Sequence, residues 1–315
     1  MAPSEPLFKI SSLPVDRGGS RTFEPGTRDV YIRMLNIAFL NGEFLPLDRA
    51  SVSILDRGLL FADGVYEVTA VANGRMIQHE DHFDRLYRSL ESIELAAPLS
   101  RQQVQEMQLE LVRQNQLAEG IIYLQITRGA GIRDFAFPSQ VKPTVFAYCS
   151  EMKIVNHEKL KTGVKVITAP DLRWLRRDIK SVSMLPQVLA KQKARSAGAF
   201  EAWQVEDGHI TEGSSTSAFI VRDGVLYTHP QNQRILAGTV RKNILKLWRD
   251  DMKLEISETA FSPDEAKAAD EAFLTSASTF VLSVVEIDGH PIGNGQPGEL
   301  ATRLRALYLK RNGCV

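Results

Sequence analysis

Cysteine is nearly absent: Cys149 and Cys314 are the only two in 315 residues, far apart and outside any Cys-x-x-Cys pattern. That speaks against a structural disulfide and for two reduced thiols in a cytoplasmic protein. An excess of charge of one sign is also missing. Lys plus Arg and Asp plus Glu number 38 each, so neither nucleic acid nor an anionic membrane, which select an excess of cations, is an expected partner. No apolar run approaches the roughly 18–20 residues that span a bilayer. Residues 1–33 contain no apolar stretch of signal-peptide length and are rich in Pro, Gly, Ser and Arg, so they read as a poorly ordered leader.

Several chemical signatures are missing as well. No Gly-x-Gly-x-x-Gly follows a strand, and there is no Walker A loop and no Gly-x-Ser-x-Gly elbow. The six histidines (79, 82, 157, 209, 229 and 290) form no His-Glu-x-x-His. His79 and His82 are spaced to share a helix face, but no third ligand lies in reach, so no metal site is expected. Hydride-transfer, nucleotide and metallohydrolase functions all lose ground.

What is present is 43% hydrophobic residues, enough for a sizeable core and two domains. Asn41-Gly42 and Asn73-Gly74 sit between apolar runs and signal hairpins, because a type I′ turn needs positive φ at both central residues. Two helices should follow. One places Phe83, Leu86, Leu90 and Ile93 on one face; the other opens at Ser100 with Gln103 three residues on, a capping box, and buries Val104, Met107 and Leu111. Strands return at 121–127 and 144–148, and polar residues around 151–157 suggest a linker. Beyond it the pattern predicts strands at 164–168, 202–205, near 255–259 and at 272–274. It places helices at 185–197, after Gly238, from Pro263 and at 299–310, with turns at Asp207-Gly208 and Asp223-Gly224. Clustered strands and helices with many hairpins indicate an α+β fold with a small domain at 34–154 and a larger one at 155–315.

Four segments carry chemistry. In Trp174-Leu175-Arg176-Arg177-Asp178-Ile179-Lys180-Ser181 a lysine lies between apolar Ile179 and Val182 and close to two arginines, surroundings that suit a Schiff-base lysine. Thr211-Glu212-Gly213-Ser214-Ser215-Thr216-Ser217 sets a carboxylate before small hydroxyl residues, which suits a pyridine nitrogen and a polar pocket, although such a string also makes an ordinary loop. Leu236-Ala237-Gly238-Thr239-Val240-Arg241 opens a helix, so the amides of Thr239 and Val240 can receive a phosphate at the positive end of the dipole. Thr275-Ser276-Ala277-Ser278 offers hydroxyls at a strand end.

Together these segments resemble the fold-type IV pyridoxal-phosphate enzymes, and among them the D-amino-acid aminotransferases. The likeness runs over residues 36–292. It also rests on Phe61-Ala62-Asp63-Gly64-Val65-Tyr66-Glu67-Val68, His82-Phe83-Asp84-Arg85-Leu86-Tyr87 and Ile122-Tyr123-Leu124-Gln125-Ile126-Thr127-Arg128-Gly129. The resemblance implies a small α/β domain plus a larger domain with a pseudo-barrel sheet, and pyridoxal 5′-phosphate as cofactor. It implies that Lys180 forms the Schiff base and shuttles the substrate proton, with Glu212 on the ring nitrogen. Arg85, the 239–240 amides and Ser276 then hold the phosphate, Ser214 and Ser215 surround the ring, and Leu236 packs on its face. Tyr66, Tyr123, Arg133 and Phe135 are implied on the substrate side. A homodimer is implied, each carboxylate-binding loop coming partly from the neighbour. The reaction implied is transfer of an amino group from a D-amino acid to a 2-oxo acid such as 2-oxoglutarate or pyruvate.

One departure bears on substrate choice. The D-amino-acid enzymes carry Arg-x-His in the loop that binds the substrate carboxylate; here Arg133 keeps the arginine and Phe135 replaces the histidine. Thr239-Val240 also stands for the usual apolar-Thr pair, and Ala277 for a common threonine. Phe135 keeps alive an (R)-amine or branched-chain transaminase and an aminodeoxychorismate-lyase-like enzyme, against which Tyr66-Glu67-Val68 and Arg133 stand. A cofactor-binding protein without turnover is a further reading, against which Lys180 and Glu212 both stand.

Overall fold

The computed structural model describes residues 33–315; the leader expected at 1–33 lies, but for Arg33, outside the described residues. In the first half, β1 (Arg33–Leu40) and β2 (Glu43–Pro46) form the hairpin expected at Asn41-Gly42. There follow α1 (Arg57–Phe61), β3 (Gly64–Ala72), β4 (Arg75–Met76), α2 (His79–Ser92), α3 (Arg101–Asn115), β5 (Gly120–Thr127) and β6 (Thr144–Glu151). The predicted capping box is present: the Ser100 side chain accepts from the Gln103 amide, and Gln103 reciprocates. The strands order as β2-β1-β6-β5-β3-β4, all antiparallel. Alternation along β5 turns Ile122, Leu124 and Ile126 onto α2 and α3, while Tyr123 and Gln125 face the opposite side. On that side Tyr66, Tyr123 and Tyr148 stack across three strands, with centroids 5.6 and 5.1 Å apart.

The second half comprises β7 (Val164–Pro170), α4 (Leu185–Ser196), β8 (Glu201–Glu206), β9 (His209–Gly213), β10 (Ser217–Arg222) and β11 (Val225–Tyr227). It continues with α5 (Thr239–Asp250), β12 (Ile256–Ser257), α6 (Pro263–Lys267), β13 (Glu271–Ser276), β14 (Phe280–Ile287), β15 (His290–Pro291) and α7 (Glu299–Arg311). Its sheet runs β12-β11-β10-β13-β14-β7-β8-β9, with β15 on β14. Only Ser214, Ser215 and Thr216 separate β9 from β10, yet these strands close the two ends of the run β10-β13-β14-β7-β8-β9. So short a link forces the sheet to curl on itself, which makes the expected pseudo-barrel.

Strand β14 at the middle of that sheet has no counterpart among the elements expected from the sequence. Its first six residues are all buried, and burial on both faces erases the alternation by which strands are recognised. The segment read as a polar linker is irregular in backbone but packed inside. Met152, Ile154 and Val155 join a core cluster with Ala70 and Ala72 of the first sheet and with residues of α5 and α7. Glu119 accepts the amides of Ile154 and Val155 at 2.6 Å. Arg305 donates to the carbonyls of Ile154 and Val155 and, at 2.6 Å, to those of Thr279 and Val281. Burial pushes the Arg305 guanidinium down to about 10. Both polar edges of the connection are thus satisfied from opposite halves.

Candidate active site

A cavity of about 200 Å³ opens where β3, the segment before α4, the β9–β10 turn, the start of α5 and the end of β13 meet. Lys180 is set there by backbone pairing with β3: the Tyr66 amide donates to its carbonyl at 3.0 Å, and the Val182 amide donates to Gly64 at 3.1 Å. Its own amide donates to Ser89 Oγ at 3.3 Å. Lys180 Nζ lies 4.1 Å from the centre of the Tyr66 ring. Behind Tyr66, Tyr123 donates to Gln125 Oε1 at 2.7 Å, and burial lifts its phenol above the usual range.

Glu212 lies buried on β9. Arg173 ion-pairs with it, and the Leu236 amide donates to its two oxygens at 3.1 and 3.2 Å. Burial works against the Arg173 charge, but Glu212 and Asp171 outweigh it and hold the guanidinium above its ordinary range. Arg177 pairs with Glu206 at 2.6 Å and Asp171 at 3.3 Å, so the stretch leading to Lys180 is pinned to the large sheet. Ser214 and Ser215 donate their hydroxyls to Glu201, a fully buried carboxylate on β8.

At the other end, Gly238 opens α5 and no side chain caps the helix. A Cβ at Gly238 would lie 2.9 Å from Ser217 Oγ and 3.1 Å from Arg241 Cβ, so a larger residue here must shift its neighbours. Arg85, reaching in from α2, is gripped by Glu67 through Nε and Nη2, each at 2.7 Å, while Nη1 donates to the Ala237 carbonyl at 3.0 Å. His82 Nδ1 lies 2.7 Å from Glu67, and its Nε2 lies 3.3 Å from Thr239 Oγ1. Burial lowers the His82 ring below its usual value, so a neutral ring can donate to Glu67 and accept from Thr239. Ser276 shares hydrogen bonds with Ser278 and Thr279 at 3.1 and 2.9 Å.

The structure therefore brings Tyr66, Arg85, Lys180, Glu212, Ser214, Ser215, Leu236, Gly238, Thr239, Val240 and Ser276 to one cavity. It does not bring Tyr123, Arg133 or Phe135 to it. Tyr123 stands one layer behind Tyr66, while Arg133 and Phe135 lie on an exposed loop beside Phe61, 5.3 and 5.4 Å from its ring. Arg173, Glu67 and Glu201 went without a role in the sequence reading. The available signal was a charged residue at a strand position whose neighbours are inward-facing, as at Glu67 in Val65-Tyr66-Glu67 and Glu201 before Ala202-Trp203.

The lining suits a phosphorylated pyridine. Lys180, Arg85, Arg173, Arg177 and Arg241 face it against Glu212 alone, and the uncapped start of α5 adds free amides. Four buried polar atoms of lining residues, Gln187 Oε1, Thr216 Oγ1, Thr275 Oγ1 and Arg241 Nε, have no hydrogen-bond partner within the protein. No cluster of three metal-ligating side chains occurs among the described residues.

Residues 64–287 match the amino-transferase class IV family. The chain is 40% identical over 273 residues to a D-alanine aminotransferase from Staphylococcus aureus (strain N315), covering 86% of this chain and 96% of that one. It is 40% identical over 265 residues to a D-alanine aminotransferase from Bacillus licheniformis, covering 84% and 93%. Among solved structures it is similar to the T.th. branched-chain amino acid aminotransferase with pyridoxamine 5′-phosphate, with a TM-score of 0.83 and 26% identity over 89% of this chain and 95% of that one. The Escherichia coli branched-chain amino acid aminotransferase shares the fold, with a TM-score of 0.83 at 23% identity over 88% and 95%.

Proposed function

The chain belongs to the class IV aminotransferases, and from that premise we propose that it moves the amino group of a D-amino acid onto a 2-oxo acid, with pyridoxal 5′-phosphate as cofactor. Support for the D-amino acid comes from the likeness to D-alanine aminotransferases over nearly the full length of both partners. The observation that carries the reading is the meeting, in one cavity, of the Lys180 amine over Tyr66, the Arg173-held Glu212 carboxylate and the uncapped start of α5.

Bound pyridoxal phosphate supplies an electron sink for the charge left on the substrate α-carbon. Lys180 would attach the cofactor and move the proton between that carbon and the cofactor's C4′. Glu212, oriented by Arg173 and the Leu236 amide, serves the ring nitrogen. The Thr239 and Val240 amides, Arg85 and Ser276 hold the phosphate. Arg85 retains one free N–H on each Nη for this, its other donors being spent on Glu67 and Ala237. Ser214 and Ser215, fixed by Glu201, flank the ring, and Leu236 covers its face. Tyr66 borders the reacting carbon.

A homodimer completes the site. Arg133 and Phe135 are exposed and take no part in lining their own cavity, and Ile54, Leu59 and Ile132 are large apolar side chains exposed on the same half, as at subunit interfaces. Arg133 then meets the substrate carboxylate in the neighbouring subunit. The halves 34–154 and 155–315 act as a small and a large domain. Two buried free thiols accord with work in the cytoplasm, and no described helix is long and apolar enough to cross a membrane. The test is to supply D-alanine and 2-oxoglutarate to the cofactor-loaded protein and resolve the glutamate by chirality. D-Glutamate supports the reading; product from L-alanine alone overturns it.

A further inference from the structure

We infer that Arg57 is a positioning residue for the substrate carboxylate, holding the backbone of the 131–138 loop so that Arg133 is presented in one place. The inference rests on the dimeric reading above, in which that loop serves the neighbouring cavity. Arg57 begins α1 and is 3% exposed. Its Nε donates to Asp63 at 2.8 Å, and its two Nη atoms donate to three consecutive loop carbonyls: Asp134 at 2.5 Å, Phe135 at 3.3 Å and Ala136 at 3.3 Å. One buried guanidinium thus ties down the peptide units around Phe135 while the side chains there project outward. A lysine cannot do this, since only a planar fork addresses a carboxylate and several carbonyls at once.

The surroundings reinforce the clamp. At the base of the loop, the Arg57 amide donates to Gly129 at 2.9 Å and the Gly131 amide to Leu55 at 3.3 Å. Gly129 adopts φ +98°, and a Cβ there would collide with the Lys142 carbonyl, so only glycine makes this bend. Asp63 also takes Arg128 at 2.8 Å, and Arg128 covers the Phe137 ring at 3.6 Å. Phe61 forms a shelf for Arg57, Arg133 and Phe135, at 4.8, 5.3 and 5.4 Å. Because Phe135 offers no hydrogen bond, Arg133 is the loop's one cationic donor, and its placement matters the more. Fixing it beforehand removes ordering entropy from binding. Amino donor and 2-oxo acceptor both carry an α-carboxylate, so both half-reactions depend on the clamp.

The test compares Arg57→Met, Arg133→Met and the double variant as cofactor-loaded proteins. In Arg57→Met, KM for D-alanine and for 2-oxoglutarate should each rise roughly tenfold, with kcat changed less than about twofold. Hydrogen exchange over residues 131–138 should quicken, and in the Arg133→Met background Arg57→Met should add less than about twofold. Arg57→Lys, which keeps the pair with Asp63, guards against misfolding and should fall between wild type and Arg57→Met. An unchanged KM in Arg57→Met, full additivity in the double variant, or a wild-type-like Arg57→Lys overturns the clamp. A wild type that turns over no D-amino acid overturns instead the functional reading, and with it the carboxylate role of the loop.

Discussion

Arg85 and Glu67 form a two-pronged ion pair inside the protein, both contacts 2.7 Å, with His82 as a second partner of the same carboxylate. Burial alone would lift the Glu67 carboxyl, but Arg85 and His82 together hold it well below the usual range. A depressed carboxylate stabilises the fold fully above its unfolded value, and that contribution disappears as pH falls through the folded one. Glu67→Gln should cost about 3–5 kcal/mol by leaving a buried guanidinium half-partnered. Urea denaturation checks this, and cofactor retention should weaken in parallel because Arg85 and Thr239 both hang on this group.

Lys180→Ala should leave the fold intact, since the pairing with β3 uses backbone atoms. Transamination should nevertheless fall by at least roughly 10³-fold, because no other amine takes up the α-proton. Steady-state rates with matched thermal unfolding curves decide the point.

Glu212→Gln keeps the shape of the site but removes the charge opposite Arg173. The variant should still bind pyridoxal phosphate, with kcat lowered roughly 10²-fold as the ring becomes a poorer electron sink. Equal kcat in both proteins would deny Glu212 its role.

How much of this was legible beforehand depends on how local each feature is. Lys180, Glu212, Ser214, Ser215 and the Gly238-Thr239-Val240 helix start stand in short contiguous strings, so their residue types and order already spoke. Arg57 did not stand out, because the loop it holds lies more than 70 residues away and offers it only backbone carbonyls, which any residue supplies. Glu67, Glu201 and Arg173 are likewise defined by what the fold sets beside them. The hairpins at Asn41-Gly42 and Asn73-Gly74 were readable from turn chemistry. Strand β14 escaped because both its faces are buried.

His157 gives a pH signature of the junction between the halves. Burial first, then the nearby Arg305 and Lys159 charges, push its ring from 6.5 down to about 4. Its Nδ1 accepts the Lys159 amide at 3.2 Å, which protonation would abolish. Between those two values the unfolded chain binds the proton and the folded chain does not. Stability should therefore decline as pH falls from about 6.5 towards 4 and be fully present above that window. His157→Asn, which keeps an acceptor without a titrating ring, should show a shallower decline in Tm across it.

The central claim is that this cavity holds pyridoxal phosphate on Lys180 and acts on D-amino acids. The most direct measurement is the visible spectrum of the cofactor-loaded protein before and after adding D-alanine, L-alanine and (R)-1-phenylethylamine separately, then 2-oxoglutarate. The account predicts that D-alanine alone bleaches the band and that the 2-oxo acid restores it, with no band in Lys180→Ala. Bleaching by L-alanine or the amine but not by D-alanine, or a wild type that takes up no cofactor, would contradict it.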